Sequence, residues 1–395
     1  MKKTSDVRDE IQVAVEIGRG SMDVSPVERQ AMLALGFAIG ECGLGALTPA
    51  NVRTFTSTRR ASLAFGSLPG AFELRGTTDR ASLGFQLEWL LAQCTEPRFE
   101  ADAVTRAVQT WLLRQTGSSS GDLSMRFCSK LVGEPIHPDL ELLAAIDARD
   151  VMQLVRTKWI GAAITVVVVG DLDVDQVVAS VGRTFGRLAK RDDLEASSSR
   201  EARLIAGGVH EQHDLRTPEP AGSVFVFAPV PLQRRDGDRA LMRVLTTVLT
   251  DRLDARIREA MGATYSVAVD RMWFAAKSHC EAVRVQARVQ PGRENDVLDV
   301  IRRECADLRE HGPTADELAA AVRFLGREDR DRRTKNGFWL VALGSSHGDP
   351  SLLAALASAD ADLAAVTRDA VHEAARAIFV ADGMSSLVLH AKRTK

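Results

Sequence analysis

The sequence has no excess of either charge. Its 51 Lys and Arg stand against 53 Asp and Glu, a formal net charge of −2. This excludes the basic face that a nucleic-acid binder presents, and it removes any polybasic reason to sit on an anionic membrane. Long apolar runs are also missing. The longest nearly uninterrupted one, Ile160 to Val169, is about half of what a bilayer span needs. Lys2 and Lys3 are followed by Thr4, Ser5, Asp6 and Arg8, so no secretory leader is expected. Cysteine is scarce and unpaired. Cys42, Cys94, Cys128, Cys280 and Cys305 are far apart, odd in number and form no C-x-x-C, so they read as small buried residues in a reducing compartment. What is present is 45% hydrophobic and 26% charged residues over 395 positions, enough for two cores. The expectation is a soluble, cytoplasmic, two-domain protein.

The chain contains an approximate copy of itself. At an offset of 220 positions, Leu143–Asp171 lies over Leu363–Ala391 without a gap. Both stretches start Leu-Ala-Ala and continue as an amphipathic helix, with apolar Val151, Leu154 and Val155 in the first and Val371, Ala374, Ala375 and Ile378 in the second. Both then turn at small residues into a β-branched strand, 164–169 and 386–389. Two unrelated helix–strand units would also give this pattern, but the preceding segments correspond as well. Residues 10–18 and 223–230 each read as a strand followed by a polar turn and a helix, 26–42 and 238–261. In the first copy, two strands around Leu68-Pro69-Gly70 and helices near 81–94 and 101–115 follow. In the second, 264–274 and 282–289 alternate like a hairpin before helices 294–310 and 316–333, the latter opened by the capping box Thr314-Ala-Asp-Glu317. This order predicts an α+β fold of two duplicated domains, each a mainly antiparallel sheet with helices packed on one face. The domains are expected at 1–195 and 204–395, joined by the charged, Ser-rich stretch 190–203.

Catalytic motifs are few. A zinc hydrolase needs two imidazoles one helical turn apart beside a carboxylate, and neither H-E-x-x-H nor H-x-x-E-H occurs. His210-Glu-Gln-His213 is the nearest string, and it reads better as a solvated strand edge than as a metal site. There is no G-x-S-x-G elbow and no phosphate-binding loop, and Gly40–Gly45 follows a helix rather than a strand. Gly170-Asp171 offers a carboxylate at a strand end, or a simple turn. One local feature stands apart. Helix 238–261 ends in RIREAMGATYSVAVD (256–270), with Gly262 placed to take the left-handed stop and Tyr265, the single tyrosine of the chain, three residues past it. Arg258 lies seven residues before Tyr265, in the last helical turn. A guanidinium and a phenol brought to one end of a domain can grip a peptide carbonyl or donate to a developing oxyanion. An Arg stabilising a helix C-terminus and a Tyr packed under a sheet account for the same residues.

R-E-x-x-G-x-x-Y-S-V at 258–267, in the second of two duplicated domains, resembles the C-terminal half of an insulinase/pitrilysin-family zinc peptidase. Val166–Val169 with Gly170-Asp171 is similar to the family's strand ending in Gly-Asp, and Pro313–Leu318 with Thr334-Lys-Asn-Gly-Phe-Trp339 resembles the pqqL-type members. The resemblance implies that Arg258 and Tyr265 bind the substrate backbone and that Tyr265 acts in catalysis. Zinc is implied in a homologous partner subunit bearing H-x-x-E-H, with no metal ligand and no cofactor in this chain. The implied function is therefore the non-catalytic, peptide-binding subunit of a heterodimeric zinc metallopeptidase, not active alone. A peptide-binding or scaffold protein of the same fold, working without a peptidase partner, is the other reading.

Overall fold

The computed structural model describes residues 1–68, 70–114, 119–133, 135–136, 138–191, 205–215, 221–231, 239–261, 266–275, 279–345 and 351–391, apart from the side chains at 22–23, 258–261, 273–275 and 279–280. In chain order the first half runs β1 (Lys2–Lys3), β2 (Ile11–Ile17), α1 (Pro26–Ala38), α2 (Pro49–Ser57), β3 (Ala64–Ser67), β4 (Phe72–Thr78), α3 (Leu83–Thr95), α4 (Ala101–Arg114), α5 (Ser120–Val132), α6 (Leu140–Ala145), α7 (Ala148–Lys158), β5 (Ile164–Gly170) and α8 (Val174–Arg183). The second runs β6 (His210–Asp214), β7 (Gly222–Pro229), α9 (Arg239–Met261), β8 (Val267–Ala275), β9 (His279–Val289), α10 (Glu294–His311), α11 (Ala315–Arg333), α12 (Asn336–Ser345), α13 (Ser351–Ala364), α14 (Arg368–Ile378) and β10 (Ser385–His390). No helix among the described residues is long and apolar enough to cross a membrane.

The duplication appears as one topology used twice. The first sheet has the order β1-β5-β2-β4-β3 and the second β6-β10-β7-β9-β8. In each, the first strand pairs in parallel with the last one (β1 with β5, β6 with β10), and every other neighbouring pair is antiparallel. The two stretches aligned at an offset of 220 become α7–β5 and α14–β10, which hold the same place in their sheets. Local signals start the helices where the sequence indicates. Ser25 and Glu28 cap α1 reciprocally ahead of Pro26, and Asp147 and Asp150 do the same for α7. Thr314 and Glu317 also bond as expected, Glu317 N–H to Thr314 Oγ1 at 3.2 Å and Thr314 N–H to Glu317 Oε2 at 2.7 Å. Thr314→Ala is accordingly expected to cost about 1 kcal/mol, read as a lower urea midpoint at unchanged slope.

Contacts divide the chain into two compact units. One comprises Met1–Arg114, Pro138–Ser199 and Asp329–Ala357, the other Gln115–His137, Arg200–Glu328 and Ser358–Lys395. Each half of the sequence thus gives one segment to the unit built mainly by the other half, an exchange that a linear division at 195 and 204 does not contain. Most of the stretch expected as a linker, 192–203, lies outside the described residues. The exchanged segments carry α5 and α12, and they qualify the picture of helices on one face only. In the first unit, Val13, Val15 and Val168 face a core shared with α1, α3 and α7, whereas Ala14, Val167 and Val169 pack against Leu340, Trp339 and Leu343 of α12. In the second, Val224, Val226 and Val388 face α9, α10 and α14, whereas Phe225, Phe227, Leu387 and Leu389 pack against Phe127, Cys128, Leu131 and Val132 of α5. Covering on both faces explains why β2 and β7 are buried almost without alternation.

Asn336 fixes the start of α12. It is fully buried, donates its backbone N–H to Asp6 Oδ2 at 2.9 Å and its amide to Glu10 Oε1 at 3.3 Å, and accepts from the Thr4 hydroxyl. The bond from Asn336, and secondarily Lys335, holds the Asp6 carboxyl below the usual range. Trp339 Nε1 donates to the Arg333 carbonyl at 2.7 Å while Lys2 lies over its ring at 4.6 Å. The Thr334–Trp339 string is therefore a docking device for the helix.

Candidate functional site

The junction between α9 and β8 is built from both sides. Met242, Leu245, Leu249, Leu253 and Ile257 recur every three or four residues along α9 and are all buried, which anchors the helix to its sheet. Its C-terminal part is also held by charge. Arg252, with only 11% of its side chain exposed, bonds Glu317 through Nε at 2.7 Å and Nη2 at 2.9 Å, Asp307 through Nη1 at 2.7 Å and the Gly312 carbonyl at 3.0 Å. This two-pronged bond raises the Arg252 pKa and lowers that of Glu317. One turn on, Arg256 pairs with Glu304 at 3.3 Å. The helix reaches Met261, so the backbone of Arg258 is in its last turn, as the sequence indicates. On the strand side, the Ser266 carbonyl accepts the Arg288 N–H at 3.1 Å and Val267 pairs with Ala287. Gly262 and Tyr265 lie between these anchors, outside the described residues, as does the side chain of Arg258.

The other candidates have structural explanations. His210 and His213 are on β6, an edge strand, where an odd spacing sends side chains to opposite faces. His210 Nδ1 lies 2.9 Å from Ser386 Oγ, and His213 Nε2 lies 3.0 Å from Glu211 Oε2. Lys130 Nζ, 2.6 Å from Glu211, is the first cause of that carboxyl's lowered pKa. The two imidazoles cannot share one ion. Among the described residues no group of three or more His, Cys, Asp or Glu is arranged to hold a metal. The described histidines therefore do not form a zinc site.

The Gly-Asp strand end also has a physical cause. Gly170 has φ +142, and a Cβ there would meet the Glu10 carbonyl at 2.2 Å, so no other residue fits. Asp171 accepts the Asp9 N–H at 3.1 Å and the Arg80 guanidinium, which lowers its pKa and clasps β2 to β5. Cys42, Cys94, Cys128 and Cys305 are buried free thiols, with burial pushing Cys94 and Cys305 up to about 12, far from the range of a nucleophile.

Two copies of one α+β sheet module, each completed by a helix from the other half, make up the described chain. Comparison with known proteins shows what the chain is similar to. Residues 145–325 match the family model described as the Peptidase M16 inactive domain. An uncharacterized zinc protease of Streptomyces coelicolor is 27% identical over 260 residues, covering 62% of this chain and 55% of that protein. The chain thus spans about half the length of the curated relative it matches. The crystal structure of the periplasmic protease PqqL from Escherichia coli is similar with a TM-score of 0.76 at 15% identity, over 99% of this chain and 44% of PqqL. A peptidase M16 inactive domain from Pseudomonas fluorescens gives a TM-score of 0.77 at 17% identity, over 98% and 94% of the two chains. Over residues 145–325 the chain is thus similar to the Peptidase M16 inactive domain, and over its whole length it shares the fold of these structures.

Proposed function

We propose that this chain is the substrate-binding, metal-free half of a two-chain zinc metallopeptidase that cleaves peptides inside an enclosed chamber. The observation that carries the reading is the match to an inactive M16 domain in a sequence without H-x-x-E-H. A homologous chain with that motif forms the other half of a heterodimer, and its zinc and glutamate supply the activated water when bound there. The half-length match to a zinc protease supports a division of labour between two halves. This chain's part is positioning. Arg258 holds a backbone carbonyl of the peptide through its fork of N–H donors, and Tyr265 donates its phenolic hydrogen to the scissile carbonyl oxygen as negative charge develops on it. The buried, reduced thiols support a cytoplasmic location.

Mixing the purified chain with its H-x-x-E-H-bearing homologue tests the proposal. A 1:1 complex by size exclusion and hydrolysis of an internally quenched peptide only in the mixture are expected. Hydrolysis by this chain alone overturns the assignment. Peptide binding by this chain with no turnover in the mixture replaces it with a scaffold role.

A further inference from the structure

The second unit holds a cleft of ≈ 400 Å³ on the α10–α14 side of its sheet, at the β6 edge. One wall is a flank of α10 that its core does not use. Arg302 and Arg309 stand two turns apart on that flank, with Ala306 between them leaving the space that a longer side chain would occupy. Arg303 flanks the same opening. The floor is apolar: Val226 from β7, Phe379 just after α14 and Met384 just before β10, all buried. His210, bonded to Ser386, closes the far side. No carboxylate lines the cleft. The three arginines make no ion pair among the described residues, while acidic neighbours on α10 are engaged elsewhere, Glu304 by Arg256 and Asp307 by Arg252 and His311.

Uncompensated guanidiniums above an apolar floor are complementary to one chemical class. Arginine forks match phosphate or carboxylate oxygens two at a time, and the floor gains by excluding water from a hydrocarbon or ring. A neutral apolar molecule would leave the cations unused, and a bare inorganic anion would leave the floor wet. The volume falls in the range of small-molecule sites, about 300–1,000 Å³. We propose that this cleft binds a small amphipathic anion, its apolar body on Val226, Phe379 and Met384 and its phosphate or carboxylate head between Arg302 and Arg309. No residue of α9 or β8 lines the site.

Isothermal titration of the full chain with four probes below their micellar concentrations tests it: monooctyl phosphate, octanoate, 1-octanol and inorganic phosphate. One of the two amphipathic anions is expected to bind at a single site at least tenfold more tightly than 1-octanol or inorganic phosphate, and the tighter of the pair identifies the head group. The Arg302→Ala/Arg309→Ala double variant changes only exposed side chains and should weaken that probe at least tenfold with unchanged circular dichroism. Ala306→Leu, which fills the cleft and keeps the charges, should weaken it as much. Equal binding of 1-octanol, binding that survives either variant, or no binding of either anion at millimolar concentration overturns the proposal.

Discussion

Replacing Tyr265 by Phe is expected, on the proposed function, to lower turnover of the reconstituted two-chain complex by roughly 10²–10³, with the complex still assembling and peptide affinity little changed. The substitution removes one hydroxyl and keeps the ring, so it isolates the proposed hydrogen bond to the developing oxyanion. Loss of one such donor typically costs on the order of 10²–10³ in rate. Because that bond strengthens only as charge accumulates on the carbonyl oxygen, the loss should appear in kcat, not in KM. Arg258→Ala makes the opposite split, raising KM by removing a contact that substrate and transition state share. Steady-state kinetics on a quenched peptide separate the two. Full activity in the Tyr265→Phe complex would leave the tyrosine as packing alone.

The second large effect lies under α12. Glu16 on β2 is directly opposite Glu73 on β4, and both are buried, at 7% and 2% exposure. Gly344 comes so close that a Cβ there would meet Glu16 Oε1 at 2.1 Å. Burial, and then the charge of Glu73, push Glu16 from 4.5 up to about 7, with Arg75 on β4 pulling the other way. α12 has no charged residue to change this, and β5 presents only Thr165 at that level. The folded protein therefore keeps this proton up to about pH 7, while the unfolded chain releases it near 4.5. The stability contribution is fully present below pH 4.5, falls as pH rises through 7 and is flat above, with a span of about 3 kcal/mol at most. Glu16→Gln, neutral at every pH and of the same shape, should match the parent near pH 5 and exceed it by about 2–3 kcal/mol at pH 8. Urea unfolding of the two proteins at both pH values measures this directly, and parallel profiles would place the titration elsewhere.

Much of the fold is legible in the residues because its signals are local. Capping pairs at Ser25/Glu28, Asp147/Asp150 and Thr314/Glu317 act within one turn, and all three bond as their spacing indicates. The 220-residue offset survives as α7–β5 and α14–β10 because a buried helix face and a buried strand constrain polarity, not identity. The site is legible only as a motif. Arg258 stands out by its spacing to a lone tyrosine, while the arginines of the cleft, 302 and 309, are ordinary charges on an amphipathic helix until β6, β7 and the α14–β10 turn arrive from far along the chain. His210 and His213 show the converse. Three residues apart means neighbours on a helix but opposite faces on a strand, and only the element type separates a ligand pair from an edge.

From sequence alone came the two-fold repeat of one α+β module, the missing metal motif and the position of the Arg–Tyr pair, since each depends on periodicity or spacing within a few turns. The tertiary structure decided which sheet each helix covers. An amphipathic stripe states that a face must be buried, but α5 and α12 could satisfy it on either sheet. Complementary surfaces made by Phe225 and Phe227 in one case, and by Ala14, Val167 and the polar grip on Asn336 in the other, exist only after distant strands have paired.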